Sequence, residues 1–280
     1  EAASCYKKAA DLGDDYARTM LGLMYKEGKG VTQNKSEALK LLKESSEKGE
    51  TEAMLALSVM YDFGDCVNQD KKESVRLLKI LVDKGVPEGM YYLGVKFLDG
   101  DGVQQSNDEG IRLIKLAAEK EYLKAMQLYA HILYYGKYGL QKDVNKAIDI
   151  LKTGMQKGNA ECPNFLGEIY RDGKGVQIDL PKAAFYYKIA ADRGDRNGTF
   201  TYADMLYYGD GVQVNKKEAA KYFKKAADLG DVESMTVLGE MLLKGDGIPV
   251  DKNEAIRLFK TAAEMGDNEA KNHLKSLQGK

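Results

Sequence analysis

The sequence predicts an all-α protein built from seven tandem helical hairpins, and three observations carry that prediction. The first is a phrase, Tyr-x-x-Gly-x-Gly-Val at Tyr25, Gly28, Gly30 and Val31, that recurs with a period of 36 residues. It returns at Tyr61, Gly64 and Val67, at Phe97, Gly100, Gly102 and Val103, and at Tyr170, Gly173, Gly175 and Val176. Further copies stand at Gly209, Gly211 and Val212, at Gly245, Gly247 and Ile248 and, with one inserted residue near Tyr138, at Gly136, Gly139 and Leu140. The second is an apolar stripe at helical spacing ahead of each phrase. The third is a helix-start signal just after it. Full units run 14–49, 50–85, 86–121, 122–158, 159–194, 195–230 and 231–266. With 1–13 as a partial repeat and 267–280 as a capping helix, they occupy residues 1–280 as a single solenoid domain.

Within a unit, Ala17, Leu21, Gly22 and Tyr25 share one face of an amphipathic helix, helix A. The slot of Gly22 holds Ser58, Gly94, Ala130, Gly167, Ala203 and Gly239, all small, which lets a neighbouring helix approach closely. The second helix, helix B, starts at Asn34, Asp70, Ser106, Asp143, Asp179, Asn215 and Asp251, side chains suited to bonding the free N–H groups of a first turn. Glu37, Glu73, Glu109, Glu218 and Glu254 follow three residues later, and the spacing predicts a reciprocal capping box. Apolar pairs such as Leu41 and Leu42, Tyr186 and Tyr187, and Leu258 and Phe259 bury helix B against its neighbours. Gly49, Gly85, Gly158, Gly194, Gly230 and Gly266 end it in a left-handed turn.

Glycine-rich turns ahead of a helix can cradle phosphate, but no strand precedes these loops and no Lys-Ser/Thr pair follows them. Their middle position holds Lys29, Asp65, Asp101, Lys174, Asp210 and Asp246 without regard to sign. The glycines instead supply positive φ, so that an anchor such as Val31 turns back into the core. Two irregularities stand out. Unit three ends in Lys120-Glu121 rather than Gly, and unit four carries its extra residue at Lys137 or Tyr138, with Gly154 and Met155 in place of an Ala pair. A local change of curvature is expected there.

Composition narrows the function. Lys+Arg 42 against Asp+Glu 43 gives a net charge of −1 with no basic block, which argues against a phosphate-backbone partner and hence against nucleic acid. No apolar run reaches the roughly 18 residues that a bilayer span needs, so no membrane partner is expected. Cys5, Cys66 and Cys162 are odd in number and irregular in spacing, which implies no disulfide framework and fits a cytoplasmic or other reducing compartment. His131 and His273 are the two imidazoles, about four repeats apart and too distant to share a reaction. No metal-ligand or nucleophile pattern occurs, so no catalytic residue, metal or cofactor is expected.

The pattern Ala-x-x-x-Leu-Gly-x-x-Tyr-x-x-Gly-x-Gly-Val, then Lys-x-x-x-Ala and a closing Ala-Ala-x-x-Gly, resembles the Sel-one-like repeat family, related to tetratricopeptide repeats. Leu166, Gly167, Tyr170, Gly173, Gly175, Val176, Ala183, Ala190, Ala191 and Gly194 carry it in one unit. The resemblance implies a right-handed α/α solenoid with A helices lining a concave surface, and an adaptor role. A secreted branch of that family bridges each hairpin with a disulfide, a feature absent here. Because Glu1 falls in the slot of Glu37, the chain is expected to begin inside a helix B and to come from a larger protein.

Given that architecture, the informative residues occupy the slots of helix A that stacking leaves free. Phe63, Tyr91, His131, Tyr134, Tyr135, Asn164, Arg171, Phe200, Asp204, Tyr207 and Tyr208 are the candidate groove residues. Aromatic side chains gathered on one wall supply the composition that binding hot spots prefer. Carboxylates Glu52, Asp62, Glu88, Asp99, Glu161, Glu168 and Asp172 join Asp204 in these slots and outnumber Lys26, Lys124, Arg171 and Lys244, so the groove leans acidic and would steer a basic or mixed peptide. The expected function is a monomeric, non-catalytic scaffold or adaptor that binds a protein or peptide segment. The alternatives are a hydrolase-like enzyme of the kind suggested for secreted relatives, an accessory repeat domain of a signalling protein such as a kinase, and an RNA reader.

Overall fold

A computed structural model describes residues 2–278, all of them in helices or the short connections between helices. They divide into two compact units, Glu1–Lys142 and Asp143–Lys280. The first holds α1 (Ala2–Asp11), α2 (Asp15–Glu27), α3 (Lys35–Glu47), α4 (Thr51–Phe63), α5 (Lys71–Asp83), α6 (Pro87–Asp99), α7 (Asn107–Glu119) and α8 (Leu123–Tyr135). The second holds α9 (Val144–Gln156), α10 (Glu161–Asp172), α11 (Leu180–Asp192), α12 (Arg196–Tyr208), α13 (Lys216–Asp228), α14 (Val232–Lys244), α15 (Lys252–Glu264) and α16 (Asn268–Gln278). Glu1, whose slot aligns with Glu37, lies outside the described residues. No helix among the described residues is long and apolar enough to cross a membrane.

Each hairpin packs where the repeat is small. A β-carbon on Gly167 would stand 2.8 Å from the Tyr187 ring, one on Gly239 would stand 2.7 Å from Phe259, and one on Gly94 would stand 2.9 Å from the Gly110 carbonyl. Helix B drives a core side chain across helix A at that slot, and those crossing residues, Tyr187 and Phe259, are fully buried.

All seven helix-B caps form as the sequence implies: Asn34, Asp70, Ser106, Asp143, Asp179, Asn215 and Asp251 accept N–H groups of the first turn through their side chains. The reciprocal half of the capping box takes a different form. The cap N–H groups of Asn34, Asp70, Ser106, Asp179, Asn215 and Asp251 donate to the carbonyls of Tyr25, Tyr61, Phe97, Tyr170, Leu206 and Leu242. Those carbonyls belong to the last turn of helix A, where no intrahelical partner exists, so one bond satisfies two helix ends at once. The glutamates turn outward instead, and Glu73, Glu109 and Glu254 each grip an arginine one turn on, at Arg76, Arg112 and Arg257.

The two loop glycines have separate duties. The first is the left-handed cap of helix A; Gly28 at φ 72° donates its N–H to the Met24 carbonyl at 2.8 Å. The second, at Gly102, Gly211 and Gly247, rests on the start of the preceding repeat's helix B. A β-carbon on Gly102 would stand 2.7 Å from the Lys71 carbonyl oxygen, and one on Gly211 would press on the Leu180 backbone and stand 2.7 Å from Pro181 N. At three of the loops the residue between them forms an ion pair across this docking. Asp65, Asp101 and Asp246 face Lys35, Lys71 and Lys216 of the preceding repeat at 2.9, 2.5 and 2.8 Å. Irregular positions keep the backbone and change the residue: Cys66 replaces the second glycine at φ 66°, and Glu121 replaces the terminal one at φ 63°.

Candidate functional site

In the first unit the free slots of the A helices are only partly open. Phe63, the last residue of α4, is 76% exposed. Tyr91 on α6 is half-buried, its ring 5.2 Å from Tyr92 and 5.5 Å from Tyr122. His131 lies half-buried against the exposed Tyr135, rings 4.6 Å apart, and burial followed by the nearby Lys137 ammonium holds its pKa below the usual imidazole value. Tyr134 contradicts the groove expectation. It is 3% exposed, with Lys142 over its ring at 5.3 Å. In the first full repeat the same slot holds Lys26, which reaches Asp65 in the next loop at 3.5 Å.

The second unit gathers more of the candidates. From α10 come Asn164 and Arg171, and from α12 come Phe200, Asp204, Tyr207 and Tyr208. Asn164 donates Nδ2–H to Glu168 Oε1 at 3.0 Å. Exposed Arg171 pairs with Asp172 at 3.4 Å and lies 5.7 Å from the centre of the Tyr187 ring. Phe200 is half-buried on Phe223, ring centres 5.9 Å apart. Tyr207 shares the slot of Tyr134 and is likewise engaged in stacking rather than free: its hydroxyl donates to Asp246 Oδ2 at 2.6 Å, and Lys216 sits 4.6 Å from its ring centre. The Lys216 ammonium and this hydroxyl hold the Asp246 carboxyl below the usual carboxylate range. Tyr208, at the end of α12, is 66% exposed.

Beside these two tyrosines opens a cavity of about 260 Å³ lined also by Glu233, Thr236, Glu240 and Lys244 of α14 and by Glu269. Its charge is lopsided. Burial pushes the Glu233 carboxyl up, and Asp231, Asp204, Glu269 and Asp267 add to the push. Glu168 is raised by burial first, and Asp204 by burial and then by Asp210. The three carboxyls stand on successive A helices, Glu168 on α10, Asp204 on α12 and Glu233 on α14, and burial is the leading cause for each. Glu233, Thr236 and Glu240 were missed among the candidate residues, although Thr236 and Glu240 fill the slots of Phe200 and Asp204 one repeat later and the internal alignment could have found them.

This arrangement makes stability depend on pH with a definite sign. A raised carboxyl binds its proton more tightly in the native state than in the unfolded chain, so its contribution falls as pH rises from the ordinary carboxylate range through the native value. Glu168→Gln, which keeps an acceptor for Asn164, is therefore expected to melt above the parent at about pH 7, with the difference shrinking toward about pH 4. Paired melting curves across that range check it, and a constant offset would contradict the assignment.

Tandem helical hairpins that stack through glycine loops and leave one helix face partly free define a helical-repeat protein, a class whose members commonly mediate protein–protein interaction. The Sel1 repeat model matches residues 1–14, 15–50, 51–86, 87–122, 123–158, 161–195, 200–231 and 232–267, and the chain belongs to the Sel1 repeat family. Among solved structures it is similar to a protective antigen of uropathogenic Escherichia coli with an SLR fold, at 27% identity and a TM-score of 0.78. That match covers 98% of this chain, which spans 59% of the antigen's length. A Sel1 repeat protein from Oxalobacter formigenes matches at 24% identity, covering 98% of this chain and 80% of that one, with a TM-score of 0.82. Yeast Tom70 matches at 19% identity, covering 99% and 56%, with a TM-score of 0.55. The last two likenesses speak for the fold alone. No curated protein matches the chain.

Proposed function

We propose that the chain is a non-catalytic scaffold or adaptor that holds a segment of another protein on the A-helix face of its second unit. The observation that supports this reading most is Tyr208, a large aromatic side chain that no packing need places in solvent, at the rim of a cavity with carboxylates on its walls. An aromatic body with a polar tip provides contact area at low entropy cost, and the surrounding negative charge favours a segment rich in lysine or arginine. Glu233 and Asp204 supply charge, Phe200 supplies apolar wall, and Tyr207 fixes α12 to the next repeat through Asp246.

The test begins with capture of a partner by the intact chain, followed by calorimetry with that purified partner. Tyr208→Ala is expected to cost about 1–2 kcal/mol, roughly 5- to 30-fold in affinity, with the melting temperature unchanged. Unaltered affinity would remove Tyr208, and with it this face, from the proposal.

A further inference from the structure

We propose that Glu240, Glu269 and His273 form a site for a divalent transition metal that joins α14 to α16. Their ligand atoms, one from each residue, lie within 4.8 Å of one another. Glu269 and His273 are four residues apart on α16 and so share a face, the spacing by which a single helix offers two ligands to one ion. Glu240 comes from the neighbouring A helix, and its Oε1 stands 2.8 Å from His273 Nε2.

The imidazole is held in place. Its ring stacks on Phe259 with centres 4.7 Å apart and planes 13° apart, and Phe259 is a fully buried core side chain. Glu240 is oriented as well, since Lys244 Nζ donates to its other oxygen at 2.5 Å and leaves Oε1 for the site. Glu269 is exposed and has no salt-bridge partner among the described residues, so it is the ligand that moves. Metal–ligand bonds of about 2.0–2.2 Å place ligand atoms no more than about 4 Å apart, and rotation of this one side chain closes the set.

One imidazole nitrogen with two carboxylate oxygens suits zinc, cobalt or nickel; magnesium and calcium prefer oxygen alone. Binding replaces whatever proton His273 and Glu240 share and needs no electron transfer. The cavity that Glu240 and Glu269 line leaves space for water to complete the coordination. The inference shares that cavity with the proposed segment-binding face but rests on Glu240, Glu269 and His273, and its readout is metal binding, not partner affinity.

The experiment uses the full chain without an affinity tag, freed of metal by chelation. Calorimetric titration with Zn²⁺ is expected to show one site, and Co²⁺ is expected to give a visible absorption band. His273→Ala and Glu269→Gln should each weaken Zn²⁺ binding at least about tenfold and reduce the cobalt band, while His131→Ala, the other imidazole, should leave both unchanged. Glu269→Gln alters an exposed side chain, so it decides the matter even where His273→Ala disturbs packing on Phe259. Absence of Zn²⁺ binding, full binding by Glu269→Gln, or an equal response to Mg²⁺ would overturn the proposal.

Discussion

Phe223→Ala is expected to cost about 3–5 kcal/mol, the range for removing a fully buried aromatic side chain and leaving a cavity. Phe223 sits on α13 with no exposed surface, and its ring supports both Phe200 and Tyr207, with centres 5.9 and 6.4 Å away. The variant therefore changes two quantities. The denaturant midpoint falls, and affinity for a bound segment falls with it, because the wall behind Phe200 is gone. Phe223→Leu, closer in volume, should recover part of the stability. A midpoint for Phe223→Ala within about 1 kcal/mol of the parent would mean that the second unit repacks without loss, contrary to the close packing of protein interiors.

Gly211→Ala carries the next largest effect, and its comparison with Gly230→Ala isolates the cause. Both glycines lie in the left-handed region, at φ 71° and φ 84°. A side chain there costs about 1–2 kcal/mol in each case. Around Gly230 nothing stands within 4 Å of a β-carbon, whereas at Gly211 the β-carbon meets the backbone of Leu180 and Pro181. Overpacking against backbone adds about 1–3 kcal/mol, so Gly211→Ala should lose about 2–5 kcal/mol in total. Chemical denaturation of the two variants side by side measures the difference. Equal losses would show that the second loop glycine serves φ alone and that its docking on the preceding repeat is soft.

The repeat made much of this legible in advance. Seven copies of one phrase exposed the small slot of Gly22 and Gly167, and the structure fills it with helix-B side chains crossing at close range. The caps were legible because a cap is a local bond between a side chain and its own first turn. The reciprocal box was misread because the competing acceptors, the carbonyls of Tyr25, Tyr61 and their equivalents, lie nine residues upstream and come near only once the hairpin has closed. The aspartates at Asp65 and Asp246 looked indifferent for a similar reason. Their lysine partners stand thirty residues earlier, one repeat away.

The candidate groove residues were legible by slot and less so by exposure. Phe63 and Tyr208 share the last position of helix A and are open, as expected. Tyr134 and Tyr207 sit one residue earlier; Tyr134 is buried and Tyr207 bonds Asp246 of the next repeat, so rotation about the helix axis separates solvent from packing. His273, in the predicted capping helix, was assigned no role because Glu240, its polar partner, lies on another helix.

The central claim is that the A-helix face of the second unit grips another polypeptide, and position-specific photo-crosslinking tests it most directly. A benzophenone amino acid is placed at Tyr208 in one preparation and at Phe185 in another. Phe185 is 58% exposed on helix B and matches Tyr208 in chemistry but not in place. With the captured partner present, an adduct is expected from position 208 and none from position 185. Equal labelling from both, or labelling from 185 alone, would contradict the claim.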